Sequence, residues 1–362
     1  PLYHGGTCVQ LDASDFQMNP TIFPALVSQY KITHTSSANF AFEHLLKKSP
    51  SIPLFQRGTL LGETCDLSCW KVAMVGGDPL QIATILDFYQ RYSQHGFSFR
   101  CLQTAYGMTE ATGLISTGEI LPTPQYVMID LHETKHSLVV VTRSGKLAAD
   151  SQLPMDFSQG NKIILGCGKA SCGTEVLILN ESHQPTENIG DVYFHSPSLA
   201  RGYLRGNDVL DDLTNHTLNY DGKDYFPTGD MGFFYQNEIY ILGRSSETIR
   251  INNAIYFPLF IELIVCHNIP ELKAGTQVAI INQGTVILLQ EIAPRLYFQM
   301  TELEANIKFQ VERNYGLQID KVCFIKENSM PKIRTSGKTQ RKLCLQRLLS
   351  SQLDLVETAC IN

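Results

Sequence analysis

An α/β fold, in a larger unit followed by a smaller one, is what this sequence predicts. A helical stripe precedes a long series of short β-rich runs. A tight hairpin closes that series, and a shorter succession of helices and strands follows it. The stripe is Ile82, Ile85, Leu86 and Tyr89, spaced so that all four lie on one helical face, and Gly96 stands where such a helix would stop. The β-rich runs are Ser137–Thr142, Lys162–Leu165, Glu175–Leu179 and Asp191–His195. Met231–Phe234 and Glu238–Leu242 flank Tyr235-Gln236-Asn237 and predict the hairpin. Gly243 and Arg244 then open a polar stretch, Ser245-Ser246-Glu247. Beyond it, Pro258–His267 predicts a helix, and Gln277–Ile281 and Thr285–Leu289 predict two strands around the turn signal Asn282-Gln283-Gly284. Leu303, Ile307 and Val311 form a second helical stripe that stops at Gly316. Val322–Ile325 predicts a strand, and the basic segment Pro331–Lys342 comes after it. The expected boundary between the units lies near Ser246, giving 1–245 and 246–362, with a β-rich part at about 160–245.

Composition narrows the function. The 362 residues are 43% hydrophobic, enough to bury a sizeable core in two or three domains. Net charge is −6 with both signs dispersed, which argues against nucleic acid as the main partner. Ten cysteines do not make a disulfide scaffold in a chain this long, and the spacings Cys65–Cys69 and Cys167–Cys172 lack a His-rich tract to complete a zinc pattern. Free thiols and a cytoplasmic location are therefore expected. No apolar stretch approaches the roughly 20 residues of a membrane helix, so no stable membrane insertion is expected. The sequence opens on Pro1 inside a stretch that already reads as folded interior, which leads us to expect a fragment or a truncated relative.

Three short motifs carry chemistry. Ala105-Tyr106-Gly107-Met108-Thr109-Glu110-Ala111-Thr112 puts a carboxylate after a Tyr-Gly turn, and a carboxylate suits a hard cation such as Mg²⁺. Tyr225-Phe226-Pro227-Thr228-Gly229-Asp230 puts a second carboxylate after a glycine; its oxygens suit the vicinal diol of a ribose. Thr335-Ser336-Gly337-Lys338 places a lysine among small residues, where it can neutralise charge developing on a phosphate. Gly337-Lys338-Thr339 is not a nucleotide P-loop, because Lys332 occupies the position of the required first glycine. A fourth segment, Gly76-Gly77-Asp78-Pro79, follows the apolar run Val72–Val75. It reads equally well as a loop that lets backbone approach a flat base and as an ordinary strand-to-helix turn. A surface glutamate, a hairpin-entry aspartate and a solvated lysine are the plain alternatives for the other three.

The order and content of these motifs resemble the adenylate-forming superfamily of acyl and aryl ligases. The fatty acyl-AMP ligase branch is the nearest likeness, through Pro1-Leu2-Tyr3-His4-Gly5-Gly6, Asn39-Phe40-Ala41-Phe42 and Leu165-Gly166-Cys167-Gly168. The resemblance implies part of a large adenylation domain, then a small mobile α+β domain. It implies a ligase that joins a fatty acid to AMP from ATP with Mg²⁺ and hands the acyl group to a carrier protein's phosphopantetheine arm. It implies Lys338, Thr109 and Glu110 as catalytic, Glu110 as the metal ligand, and Gly76, Gly77, Asp78, Tyr106, Gly107, Asp230 and Arg244 around the nucleotide. Tyr106 would lie near the adenine, Thr109 at the phosphate and Arg244 at the ribose. A branch-specific insertion would fall within Pro122 to Asn161.

The sequence departs from the pattern in several places. Thr109 replaces a small apolar residue, Asp78 a glutamate, and Ser246-Glu247 a Lys-Asp pair at the hinge. Arg250-Ile251-Asn252-Asn253-Ala254-Ile255 differs from the usual Arg-Gly-x-Asn, Phe260 stands where an acid is common, and Pro331 to Lys338 is one residue longer than usual. The superfamily's Ser/Thr/Gly-rich phosphate loop has no counterpart between Pro1 and Tyr106. A non-catalytic nucleotide- or acyl-AMP-binding module is the alternative these departures support. A hydrolase is excluded: His4-Gly5-Gly6 has no G-x-S-x-G elbow to serve.

Overall fold

A computed structural model describes residues 2–48, 65–77, 80–119, 123–134, 138–149, 160–205, 208–273, 275–333 and 339–356. Its first sheet has five strands in the order His34–Ser37, Val72–Val75, Leu102–Tyr106, Ser116–Thr117, Lys169–Ala170. The first three run parallel and the last two pair antiparallel. All five residues of Leu102–Tyr106 are buried, as befits an interior strand covered on both faces. The helices Asn39–Lys48 and Ile82–Tyr92 accompany this sheet. Ile82, Ile85, Phe88 and Tyr92 form the buried stripe of the second helix, while Leu86 and Tyr89 pack partly buried beside it. Gly96 takes the left-handed conformation, φ 86°, after a single 3₁₀ turn at Ser93–His95. Trp70, Phe42, Phe88 and Phe97 meet edge-to-face in the core below.

The register of the parallel strands sets up the site. Val75 lies opposite Thr104, so the loops after Val75 and after Tyr106 leave from the same carboxyl edge. In open parallel sheets that edge is where ligands bind. The two chains run so close there that a Cβ at Gly76 would sit 2.6 Å from the Ala105 carbonyl oxygen.

A three-stranded antiparallel sheet follows, with Gln125–Asp130 between Val141–Lys146 and Asn161–Leu165. The strand expected at Ser137–Thr142 is therefore displaced toward the C-terminus. Its apolar residues Leu138-Val139-Val140 have the better β-propensity, but the strand ladder with Gln125–Asp130 begins at Val141; Val140 contributes only its carbonyl, which accepts from the Asp130 amide at 3.0 Å, and Val139 packs against the core. Two of these strands lie within the stretch expected to hold an insertion.

The next sheet carries Glu175–Leu179, Gly190–His195, the thirteen-residue strand Lys223–Tyr235, Leu218–Tyr220 and Glu238–Arg244. The hairpin forms as expected. Tyr235 pairs with Glu238 across Gln236 and Asn237, both left-handed at φ 49° and 63°, the two-residue turn whose twist matches the strands.

Beyond residue 246 the expected elements are present. Helix Pro258–Asn268 starts on its proline, and Gln277–Asn282 and Thr285–Ile292 turn through Gln283 and Gly284. Helix Met300–Tyr315 ends on left-handed Gly316, and Lys321–Lys326 pairs parallel with Thr285–Ile292. Helix Arg341–Leu349 follows. The largest apolar cluster draws on both sides of residue 246, with Val127, Ile129 and Ile164 from one and Phe260, Ile264, Ile307 and Tyr315 from the other. Among the described residues no helix is long and apolar enough to cross a membrane.

Phe260 is 3% exposed and packs its ring near Phe257 and Tyr315. Phe260→Ala should destabilise the fold by about 3–5 kcal/mol. Phe260→Glu, which restores the acid common at this position, should cost more, because it buries an unpaired carboxylate. Equilibrium urea unfolding measures both; a Phe260→Glu protein as stable as wild type would contradict the packing.

Candidate active site

The strand Leu102–Tyr106 delivers Tyr106 to the carboxyl edge of the first sheet. Opposite it stands Asp230, presented by an irregularity in its own strand. Asp191 pairs with Met231 and Tyr193 with Pro227, so Val192 alone faces Thr228, Gly229 and Asp230. Gly229 absorbs this bulge at φ 74°, a conformation that suits glycine. Thr228 pins it: its hydroxyl donates to the Val192 carbonyl at 2.8 Å and accepts from the Asp230 amide at 3.1 Å.

Three of the expected nucleotide residues meet here. The Tyr106 hydroxyl donates to Asp230 Oδ2 at 2.7 Å. Arg244 Nε lies 3.1 Å from Asp230 Oδ1, and Arg244 Nη1 donates to the Thr228 carbonyl at 2.9 Å. The Asp230 side chain is 13% exposed and the Arg244 side chain 51%, so the carboxylate is recessed and the guanidinium reaches solvent. Burial, and then the Asp230 charge, push the Tyr106 phenol well above its ordinary pKa, which keeps it a hydrogen-bond donor throughout the physiological range.

Glu110 and Thr109 lie on the loop that follows Tyr106. Gly107 permits its tight return, since a Cβ there would meet the Gly113 carbonyl oxygen at 1.9 Å. The Gly113 amide donates to the Met108 carbonyl at 3.0 Å, and Thr109–Ala111 form a 3₁₀ turn. Thr109 is exposed and Glu110 half-buried. Tyr106, Ala111 and Phe226 share one apolar cluster, so the acidic turn and the Asp230 strand rest on common packing. Gly76 and Gly77 sit beside this edge, Gly77 at φ 76° with open space around it. Asp78 and Lys338 lie outside the described residues. Lys332 and Thr339, on either side of residues 334–338, form an isolated bridge, and the Gln340 amide donates to the Pro331 carbonyl at 2.9 Å.

Among the described residues no group of three or more His, Cys, Asp or Glu side chains could hold a metal by itself. Glu110 fits a different kind of cation site. Mg²⁺ is commonly held by one or two carboxylates together with substrate phosphates and water.

One residue was not singled out from sequence: Tyr203 donates its hydroxyl to Glu110 Oε1 across 93 residues of chain, with no local signal beyond its residue type. Glu247, of the expected hinge pair Ser246-Glu247, pairs at 3.1 Å with Arg341, which also binds Glu262 and the Ala279 carbonyl; Arg341 was not singled out.

A family model described as AMP-binding enzyme matches residues 1–204, and one described as Disco-interacting protein 2-like, AMP domain, matches residues 246–358. The medium-chain-fatty-acid–[acyl-carrier-protein] ligase JamA of Moorena producens is 30% identical over 98% of this chain and 58% of its own length. The ligase of the same description, TtuA of Teredinibacter turnerae, is 27% identical over 96% of this chain and 53% of its own. A structure from a study of fatty acyl-adenylate ligases of E. coli and L. pneumophila superposes with TM-score 0.72 at 22% identity, covering 93% of this chain and 57% of that one. The chain thus spans little more than half the length of these relatives. With more than half of its residues matched by the family model, the chain belongs to the AMP-binding enzymes of the adenylate-forming superfamily.

Proposed function

We propose that the protein containing this chain activates a fatty acid with ATP, forming acyl-AMP and releasing pyrophosphate, and passes the acyl group to the phosphopantetheine thiol of a carrier protein. The observation that carries this reading is the Tyr106–Asp230–Arg244 unit, which joins two separate motifs at the carboxyl edge of a parallel sheet. The relatives named as fatty-acid–carrier-protein ligases support the choice of acid and acceptor.

Asp230 would accept from the ribose hydroxyls through its carboxylate oxygens. Arg244, anchored on Thr228, would turn its solvent-facing N–H groups toward the same sugar. Gly76, Gly77 and Gly107 would let backbone close on the base, with Asp78 beside them. Thr109 would donate to the α-phosphate. Glu110 would hold Mg²⁺, which when bound supplies neutralisation of phosphate charge. Lys338, from the smaller unit beyond Ser246, would stabilise the charge that develops as carboxylate attacks the α-phosphorus. The nine cysteines among the described residues are free thiols, which fits a reducing cytoplasm.

A second reading is a non-catalytic module that binds acyl-AMP. The departures of Ser246-Glu247 and Arg250–Ile255 from the family pattern favour it.

The test is ATP–pyrophosphate exchange with the protein at its full natural length, using Mg²⁺ and medium- and long-chain fatty acids. Exchange is expected. Its absence with every acid, alongside calorimetric binding of a non-hydrolysable acyl-AMP analogue, would establish the module instead. Lys338→Ala should lower the exchange rate by about a hundredfold or more and spare nucleotide binding. Asp230→Ala should weaken nucleotide binding roughly tenfold or more. Tyr106→Phe should raise the KM for ATP severalfold and leave kcat near wild type, the signature of lost ground-state binding.

A further inference from the structure

The acidic turn of the candidate site is strapped to a distant segment of chain. The Ala200 amide donates to the Glu110 carbonyl at 2.7 Å. The Thr112 hydroxyl donates to the Ser198 carbonyl at 2.7 Å, and the Ser198 hydroxyl donates to the Ala111 carbonyl at 3.1 Å. Three consecutive residues of the turn are thereby fixed by residues 198–200. The strand Gly202–Arg205 then brings in one side chain, Tyr203, whose hydroxyl donates to Glu110 Oε1.

Packing does not account for that side chain. Tyr203 is 47% exposed, so its ring is no part of the core, and the backbone bonds already hold the strap in place. An exposed hydrogen bond adds little to folding stability. What the phenol does is direct the carboxylate. A free glutamate rotates about its side-chain torsions, whereas one held at Oε1 presents Oε2 in a fixed direction. Partners of this kind orient the ligands of metal ions.

We infer that Tyr203 is a positioning residue for the cation that bridges nucleotide phosphates to this chain: it fixes Oε1 of Glu110 so that Oε2 meets the metal. The inference rests on the proposed role of Glu110 and adds a residue that no sequence motif assigned.

Mn²⁺ replaces Mg²⁺ and is visible by electron paramagnetic resonance, so the probe is Mn²⁺ titrated with ATP into the protein at its full natural length. Wild type, Tyr203→Phe and Glu110→Gln are compared, with metal-free AMP binding and the thermal midpoint as controls. Glu110→Gln should lose most of the bound Mn²⁺ signal. Tyr203→Phe should weaken Mn²⁺ about tenfold or more, change the line shape of the bound ion, and leave AMP affinity and the thermal midpoint unmoved. Tyr203→Phe that binds Mn²⁺ as tightly as wild type, or more tightly, while Glu110→Gln loses it overturns the positioning role and leaves the proposed function standing. Glu110→Gln that matches wild type removes Glu110 from the metal, and this inference falls with it.

Discussion

The bond between the Tyr106 hydroxyl and the Asp230 carboxylate is the contact on which the candidate site depends. It reaches across 124 residues of chain and joins the carboxyl edge of a parallel sheet to a bulge in an antiparallel one. Neither partner could hold its place alone. Tyr106 is 9% exposed, and a phenol that deep without an acceptor would cost about 1–3 kcal/mol. Asp230 is recessed, and Tyr106 and Arg244 each bond one of its oxygens. The pair therefore stabilises the junction of the two sheets.

This dependence explains why part of the molecule was legible from the sequence and part was not. At several turns and helix ends the chain marks a backbone position that favours a special residue. Gly96 and Gly316 end helices in the left-handed region, and Gln236-Asn237 and Gln283-Gly284 form the turns of two hairpins. Those elements were read within a few residues of their observed limits. The strand at Val141–Lys146 was misplaced because its neighbours Leu138-Val139-Val140 are locally the better strand formers, and only the pairing with Gln125–Asp130 decides between them. The site divides the same way. Asp230 was legible as a carboxylate after a glycine, but its exit from the strand rests on three residues facing one across a bulge, and register is a non-local quantity. Tyr203 was illegible for the same reason: a Gly-Tyr pair in a β-rich stretch says nothing about a carboxylate 93 residues earlier.

The departures at the hinge belong together once contacts are considered. Glu247 pairs with Arg341, and Arg341 also binds Glu262 and the Ala279 carbonyl, while Glu262 accepts from the Ala279 amide at 2.9 Å. Arg341 is largely buried; burial opposes its charge, but Glu262 and Glu247 outweigh that cost and raise its pKa. A buried arginine with two carboxylates is poor evidence of extra stability, because desolvation offsets most of the attraction. Its effect is on specificity: removing either acid leaves a charge with incomplete compensation, so this arrangement is favoured over neighbouring ones. Arg341 begins the helix that follows the Lys338 segment, and Glu247 closes the short turn that follows Arg244. The network thus links the turn after the strand Glu238–Arg244 to the start of the helix Arg341–Leu349 through charged groups. Glu247 and Arg341 both lie beyond residue 246, so the pair fixes how the turn after Arg244 enters that segment.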